Sequence, residues 1–145
     1  MKRTIFSWVC PLLILLAFTL PGCSAKSAAT AEQFQKAAEE IGYTVEEQDA
    51  GSFESYHLAS KEDSTISFYV CSSEQDAKSA LVNLKSNLPS DVTPEHIDSS
   101  YYSRYTAETE DSYYSIIRMG NTVMASAVEL SEKENVESIA KALGY

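Results

Sequence analysis

A chain of 145 residues with 21 acidic against 11 basic side chains carries a formal charge of −10. That field repels nucleic-acid phosphates and anionic headgroups, which argues against DNA or RNA as a partner and is compatible with a basic protein, a peptide or plain solubility. Two histidines, three cysteines and five unclustered glycines leave little material for a metal centre or a phosphate-cradling loop.

Lys2 and Arg3 open the chain, and an apolar run from Val9 to Leu20 follows, interrupted only by Pro11 and Thr19. This is the charge and hydropathy layout of a secretory signal, and it is shorter than the about 20 apolar residues that a membrane span needs. Leu20-Pro21-Gly22-Cys23 comes next, with a small residue before a cysteine. The string resembles the lipobox of bacterial lipoproteins, from whose commonest pattern Pro21 departs. The resemblance implies that residues 1–22 are a signal peptide, that Cys23 receives a diacylglyceryl group, and that the protein is anchored on the extracytoplasmic face of the cell membrane. Two acyl chains suffice for stable anchoring. Residues 23–29 then form the lipidated cysteine and a short linker. Ser24 to Ala29 are small and polar, read as disordered, and reach at most about 20 Å.

Cleavage after residue 22 would leave 123 of the 145 residues, with 9 basic against 21 acidic side chains and a charge of −12. Residues 30–145 have the length of one domain. Cys10 would leave with the signal and Cys23 would carry lipid, so Cys71 stands alone and no intramolecular disulfide is expected.

Three helices are expected from hydroxyl N-caps with a polar acceptor three residues on: Thr30 with Gln33, Ser73 with Asp76, and Ser131 with Glu134. Their apolar stripes are Phe34, Ala37, Ala38 and Ile41, ending at Gly42; Ala77, Ala80, Leu81, Leu84 and Leu88, ending at Pro89; and Val136, Ile139, Ala140 and Leu143, followed by Gly144. Alternation predicts strands over Ile66–Cys71, Tyr113–Met119 and Val123–Val128, with a tight hairpin at Gly120-Asn121. Thr44–Gln48, Phe53–Ser60 and Ser100–Ala107 complete the strands, and Pro89–Ser99, with two prolines, reads as a surface loop. The order is α-βββ-α-βββ-α, an α+β fold of mainly antiparallel sheet with helices packed on one face.

Ile41-Gly42-Tyr43, Met119-Gly120-Asn121 and Leu143-Gly144-Tyr145 sit around a tyrosine-rich middle. In this the chain resembles small lipoproteins of Gram-positive anaerobes, a likeness that implies no activity.

No H-E-x-x-H, C-x-x-C, G-x-S-x-G or S-x-x-K element supplies a catalytic set, and no metal or cofactor is expected. The positive feature is tyrosine: Tyr101, Tyr102, Tyr105, Tyr113 and Tyr114 crowd two strands expected to pair around Glu110-Asp111, facing one another across the hairpin. Tyrosine suits interfaces because its ring is apolar and its tip polar. The leading expectation is a non-enzymatic, lipid-anchored domain that binds a protein, peptide or small ligand through Tyr102, Arg104, Tyr105 and Tyr114. The alternatives are a small envelope enzyme using His57 or His96, and a self-associating surface lipoprotein.

Overall fold

The computed structural model describes residues 27–145. The expected signal peptide and Cys23 lie outside the described residues. Three helices and seven strands occur in the order α1 (Ala31–Glu40), β1 (Thr44–Gln48), β2 (Ser55–Lys61), β3 (Ser64–Val70), α2 (Glu74–Lys85), β4 (Glu95–Asp98), β5 (Tyr102–Glu108), β6 (Ser112–Met119), β7 (Thr122–Glu129) and α3 (Lys133–Ala142). All seven strands join one antiparallel sheet in the order β1-β2-β3-β7-β6-β5-β4. The chain thus builds one half of the sheet inward from the β1 edge and the other inward from the β4 edge. Its two halves meet where β3 pairs with β7.

The helix starts follow from capping at two of the three expected places. Thr30 accepts from the Gln33 amide while the Gln33 side chain accepts from the Thr30 amide, a complete capping box. Ser73 accepts from the Asp76 amide. Ser131 does not cap α3. It lies inside a 3-10 turn, Leu130–Glu132, that leads straight into the helix, and its hydroxyl turns to Glu129. That turn keeps the chain compact as it leaves β7, so α3 starts without a side-chain cap.

α1 and α3 end alike. Gly42 and Gly144 take φ of 91° and 82°, and the next amide, Tyr43 or Tyr145, donates five residues back, to Ala38 or Ala140. This is the left-handed C-cap that glycine accommodates without Cβ strain. The β6–β7 hairpin closes through two residues, of which only Gly120 has positive φ, the pattern of a type II′ turn.

Further expectations fail. Glu95–Asp98, inside the expected loop, forms the edge strand β4, exposed at all four residues. With β5 as its one neighbour and no buried side chain, it lacks the alternation by which a strand is recognised. The helices also do not share a face. α1 and α3 cover one side with Phe34, Ala38, Val136 and Ile139 against Ile66, Phe68, Ile117 and Met124. α2 covers the other with Ala77, Ala80 and Leu81 against Tyr105, Ile116 and Val123. The central strands carry apolar residues in both phases, as Ile116 and Ile117 show, because both faces need cover. Ala29, assigned to the linker by composition, is buried at 5 % exposure against the α1 side of the core.

Candidate functional site

The two faces are unequally covered. Two helices close the first, whereas α2 lies mainly over β6 and β7 and leaves part of the second open. Small side chains make a hollow there: Ala125 and Ala127 on β7 and Ser67 on β3 stand between larger neighbours. Tyr69 and Tyr114 rise at its sides, and Leu84 and Leu88 overhang it from the end of α2, where the last turn tightens as Leu88 donates to the Lys85 carbonyl. The groove offers about 170 Å³, below the roughly 300–1,000 Å³ of whole small-ligand pockets but close to the roughly 150 Å³ that accepts one aromatic ring.

Aromatic rings extend this surface toward β2. Tyr56 stacks on Tyr69 at 4.7 Å between centroids, and Phe53 lies 4.7 Å from the same ring. Tyr56 and Tyr69 are directly opposite across the β2–β3 pair, which is why their rings meet. Burial pushes the Tyr69 hydroxyl up from 10.0, opposed by the bond from Ser67. The Tyr69 phenol therefore stays protonated near neutrality and can donate. With hydroxyls at Thr65, Ser67 and Tyr114 and an amide at Asn87, the groove can hold an apolar or aromatic group and bond polar atoms at its margin.

The residues picked from sequence do not converge. Tyr102 and Arg104 point to the α1–α3 side, where Tyr102 packs on the core. Arg104 is held by Glu137 of α3, which also accepts from Tyr113. Tyr105 faces α2 and is 7 % exposed, lying under Lys85, whose Nζ is 3.9 Å from the ring centroid. Tyr114 alone lines the groove. Nor do tyrosines face one another across the β5–β6 hairpin, since Tyr102 opposes Met119, Tyr105 opposes Ile116 and Tyr114 opposes Ala107. The hairpin itself reverses over Thr109–Asp111, as expected.

The Arg104–Glu137–Tyr113 cluster serves packing. Burial raises the Glu137 carboxyl, but bonds from Tyr113 and Arg104 outweigh it and leave the group below 4.5. Burial, reinforced by Glu137, pushes Tyr113 up to about 12. Neither histidine joins the other. His57 is half-buried on the α1–α3 side of β2, while His96 is exposed on β4 and stacks on Tyr105 at 5.6 Å on the α2 side. Five strand spacings separate β2 from β4, roughly 24 Å. Burial pushes the Cys71 thiol up to about 11, helped by Asp76 and Glu54, so it behaves as a buried apolar side chain. Among the described residues no group of three or more His, Cys, Asp or Glu side chains could hold a metal, and no helix is long and apolar enough to cross a membrane.

Sequence reading passed over Tyr56, Tyr69 and Phe53, which lie far from the tyrosine-dense stretch. The sequence carried no distinguishing signal for them: Leu84 and Leu88 continue the α2 stripe, and only the structure leaves the pair half-buried.

No protein-family model matches the chain. No curated protein matches it either. Among solved structures, it is similar to a GTP binding regulator from Thermotoga maritima, with a TM-score of 0.53 over 79 % of this chain and 87 % of that one at 14 % identity. At that identity the likeness is one of fold.

Proposed function

We propose that this chain is a lipid-anchored, non-enzymatic binding protein of the extracytoplasmic membrane face. In this reading Cys23 carries the lipid, residues 1–22 are the removed signal, and residues 30–145 act as a single ligand-binding domain. Ala29 joins the folded part, so five residues, Ser24 to Ala28, remain as leash, at most about 17 Å. The ligand surface is the groove beside α2, and its occupant is an apolar or aromatic group of a protein, peptide or small molecule. The groove carries this reading because a face left half open between tyrosines and leucines is a surface that its own fold does not use. No acid–base or nucleophile pair accompanies it, so the groove supports holding rather than turnover. The GTP binding of the structural neighbour is not carried over, since neither α1 nor α2 starts from a glycine-rich loop.

Two experiments test the two halves of the proposal. Metabolic labelling with palmitate marks the chain and is lost in Cys23→Ala; an unlabelled native chain refutes the anchor. A photo-crosslinking side chain at Tyr114 yields a discrete adduct in intact cells, whereas one at Ser138, exposed on α3, does not. Equal adducts at both positions refute the groove.

A further inference from the structure

The opposite flank of α2 has a different chemistry. Lys78, Leu81, Val82 and Lys85 recur at helical spacing and face the β4–β5 edge, bounding a groove of about 340 Å³ with Ser100 and Arg118. The described residues include eight cationic side chains. Four, Lys36, Lys61, Arg104 and Lys133, make ion pairs within 4.0 Å. Of the four that do not, three (Lys78, Lys85 and Arg118) line this groove. In a protein with 21 acidic residues, unpaired cations would be expected to find carboxylates; here three are collected in one place with a single lining carboxylate, Asp98, and no ion pair within 4.0 Å.

Arg118 strengthens the case. It is 1 % exposed, and its guanidinium is met by the carbonyls of Ser99, Ser100 and Gly120 and by the Ser103 hydroxyl rather than by a carboxylate. Its Nε–H has no partner. No carboxylate bonds the guanidinium directly; Asp98 feels its charge from beyond Ser103, and the remaining field acts on the groove above. One carboxylate stands at the margin. Asp98 accepts from Ser103 at 2.5 Å and from Tyr105 at 3.5 Å, which leaves the groove two positive charges in excess.

We propose that the groove between α2 and the β4–β5 edge is a binding site for a phosphate group, clasped by Lys78 and Lys85 over the buried Arg118. Phosphate fits better than carboxylate because lysine binds phosphate as a mobile point charge, whereas the guanidinium fork that prefers carboxylates is under the floor. A phosphate also spreads its charge over oxygens that two ammonium groups and the free Ser100 hydroxyl can reach together. The chain's overall negative field opposes approach to anionic bilayers, which favours a soluble phosphate ester over a lipid headgroup. The site is separate from the tyrosine groove and does not depend on it.

The test is a titration of the detergent-solubilised full chain with inorganic phosphate, read from backbone amide shifts in NMR. Saturable shifts are expected at residues 78–85 and 99–103. The affinity should fall by about tenfold or more in Lys78→Gln/Lys85→Gln. It should rise in Asp98→Asn, which keeps the Ser103 bond, and stay unchanged in Lys141→Gln. Shifts that never saturate, that chloride reproduces at equal ionic strength, or that survive the double substitution overturn the proposal. Nanodiscs containing phosphatidylglycerol, compared with phosphatidylcholine alone, identify the source: a response at the same amides assigns a headgroup, and phosphate-only response assigns a soluble ester.

Discussion

The two faces of the sheet differ in what they leave undone. On the α1–α3 face every large apolar residue of the central strands has a partner, with Phe34 and Phe68 stacked at 4.9 Å and both wholly buried. The polar groups there are paired too, as in Arg104–Glu137 and Lys61–Glu132. On the α2 face one helix must serve the same width, and it leaves an aromatic groove on one flank and unpaired lysines on the other. Stability is concentrated on the closed face, and unsatisfied surface on the open one. The contrast separates residues that hold the fold from residues free to bind.

Substitutions on the closed face should have the largest effect. Phe34→Ala removes a ring that is 0 % exposed and stacked, and should cost about 3–5 kcal/mol in urea unfolding of the detergent-solubilised chain. A loss below about 1 kcal/mol would show that the closed face is not where stability resides. Next comes the half-buried carboxylate of Glu137. Because the Glu137 carboxyl lies below its ordinary 4.5 when folded, its contribution is present above that value and fades as pH falls through the folded one. Glu137→Gln should therefore destabilise the chain near neutral pH, and the gap from the native chain should narrow below about pH 4.5. A gap that is constant with pH would mean that the charge is idle.

Smaller effects sharpen the comparison. Glu62 takes φ of 51° in the β2–β3 turn, a conformation costly for a residue with a Cβ. Glu62→Gly should raise stability by about 1 kcal/mol without touching either face. Smallest is Tyr114→Ala at the open groove, where the ring is only half-buried. It should change stability by about 0.5 kcal/mol or less while abolishing crosslinking from a neighbouring groove position. If it instead destabilises as Phe34→Ala does, the open face is part of the core.

The sequence made the closed face readable and the open one obscure, for physical reasons. Thr30 and Ser73 announced their helices because capping is local, and the stripes of α1 and α3 were continuous because each buries a whole face. Ser131 misled, since a hydroxyl three residues before a glutamate does not reveal an intervening 3-10 turn. β4 was hidden because an exposed edge strand has no buried phase to show. The site was harder still. Tyr56, Tyr69 and Tyr114 meet through β-pairing across residues distant in the chain, and density along the sequence pointed instead to Tyr102, Arg104 and Tyr105, which the pleat sends to different places. Arg118 was legible only as an alternating strand residue. Its burial over carbonyls depends on how the chain between β4 and β5 folds back on it.

Tyrosine-specific modification, by iodination or radical footprinting, offers the most direct test that the open face is the working one. In the purified chain Tyr56, Tyr69 and Tyr114 should react, while wholly buried Tyr113 should not. In intact cells those three should become protected, with half-buried Tyr102 on the closed face reacting equally in both settings. Unchanged reactivity of Tyr114 and Tyr69 between purified chain and intact cell would contradict the account.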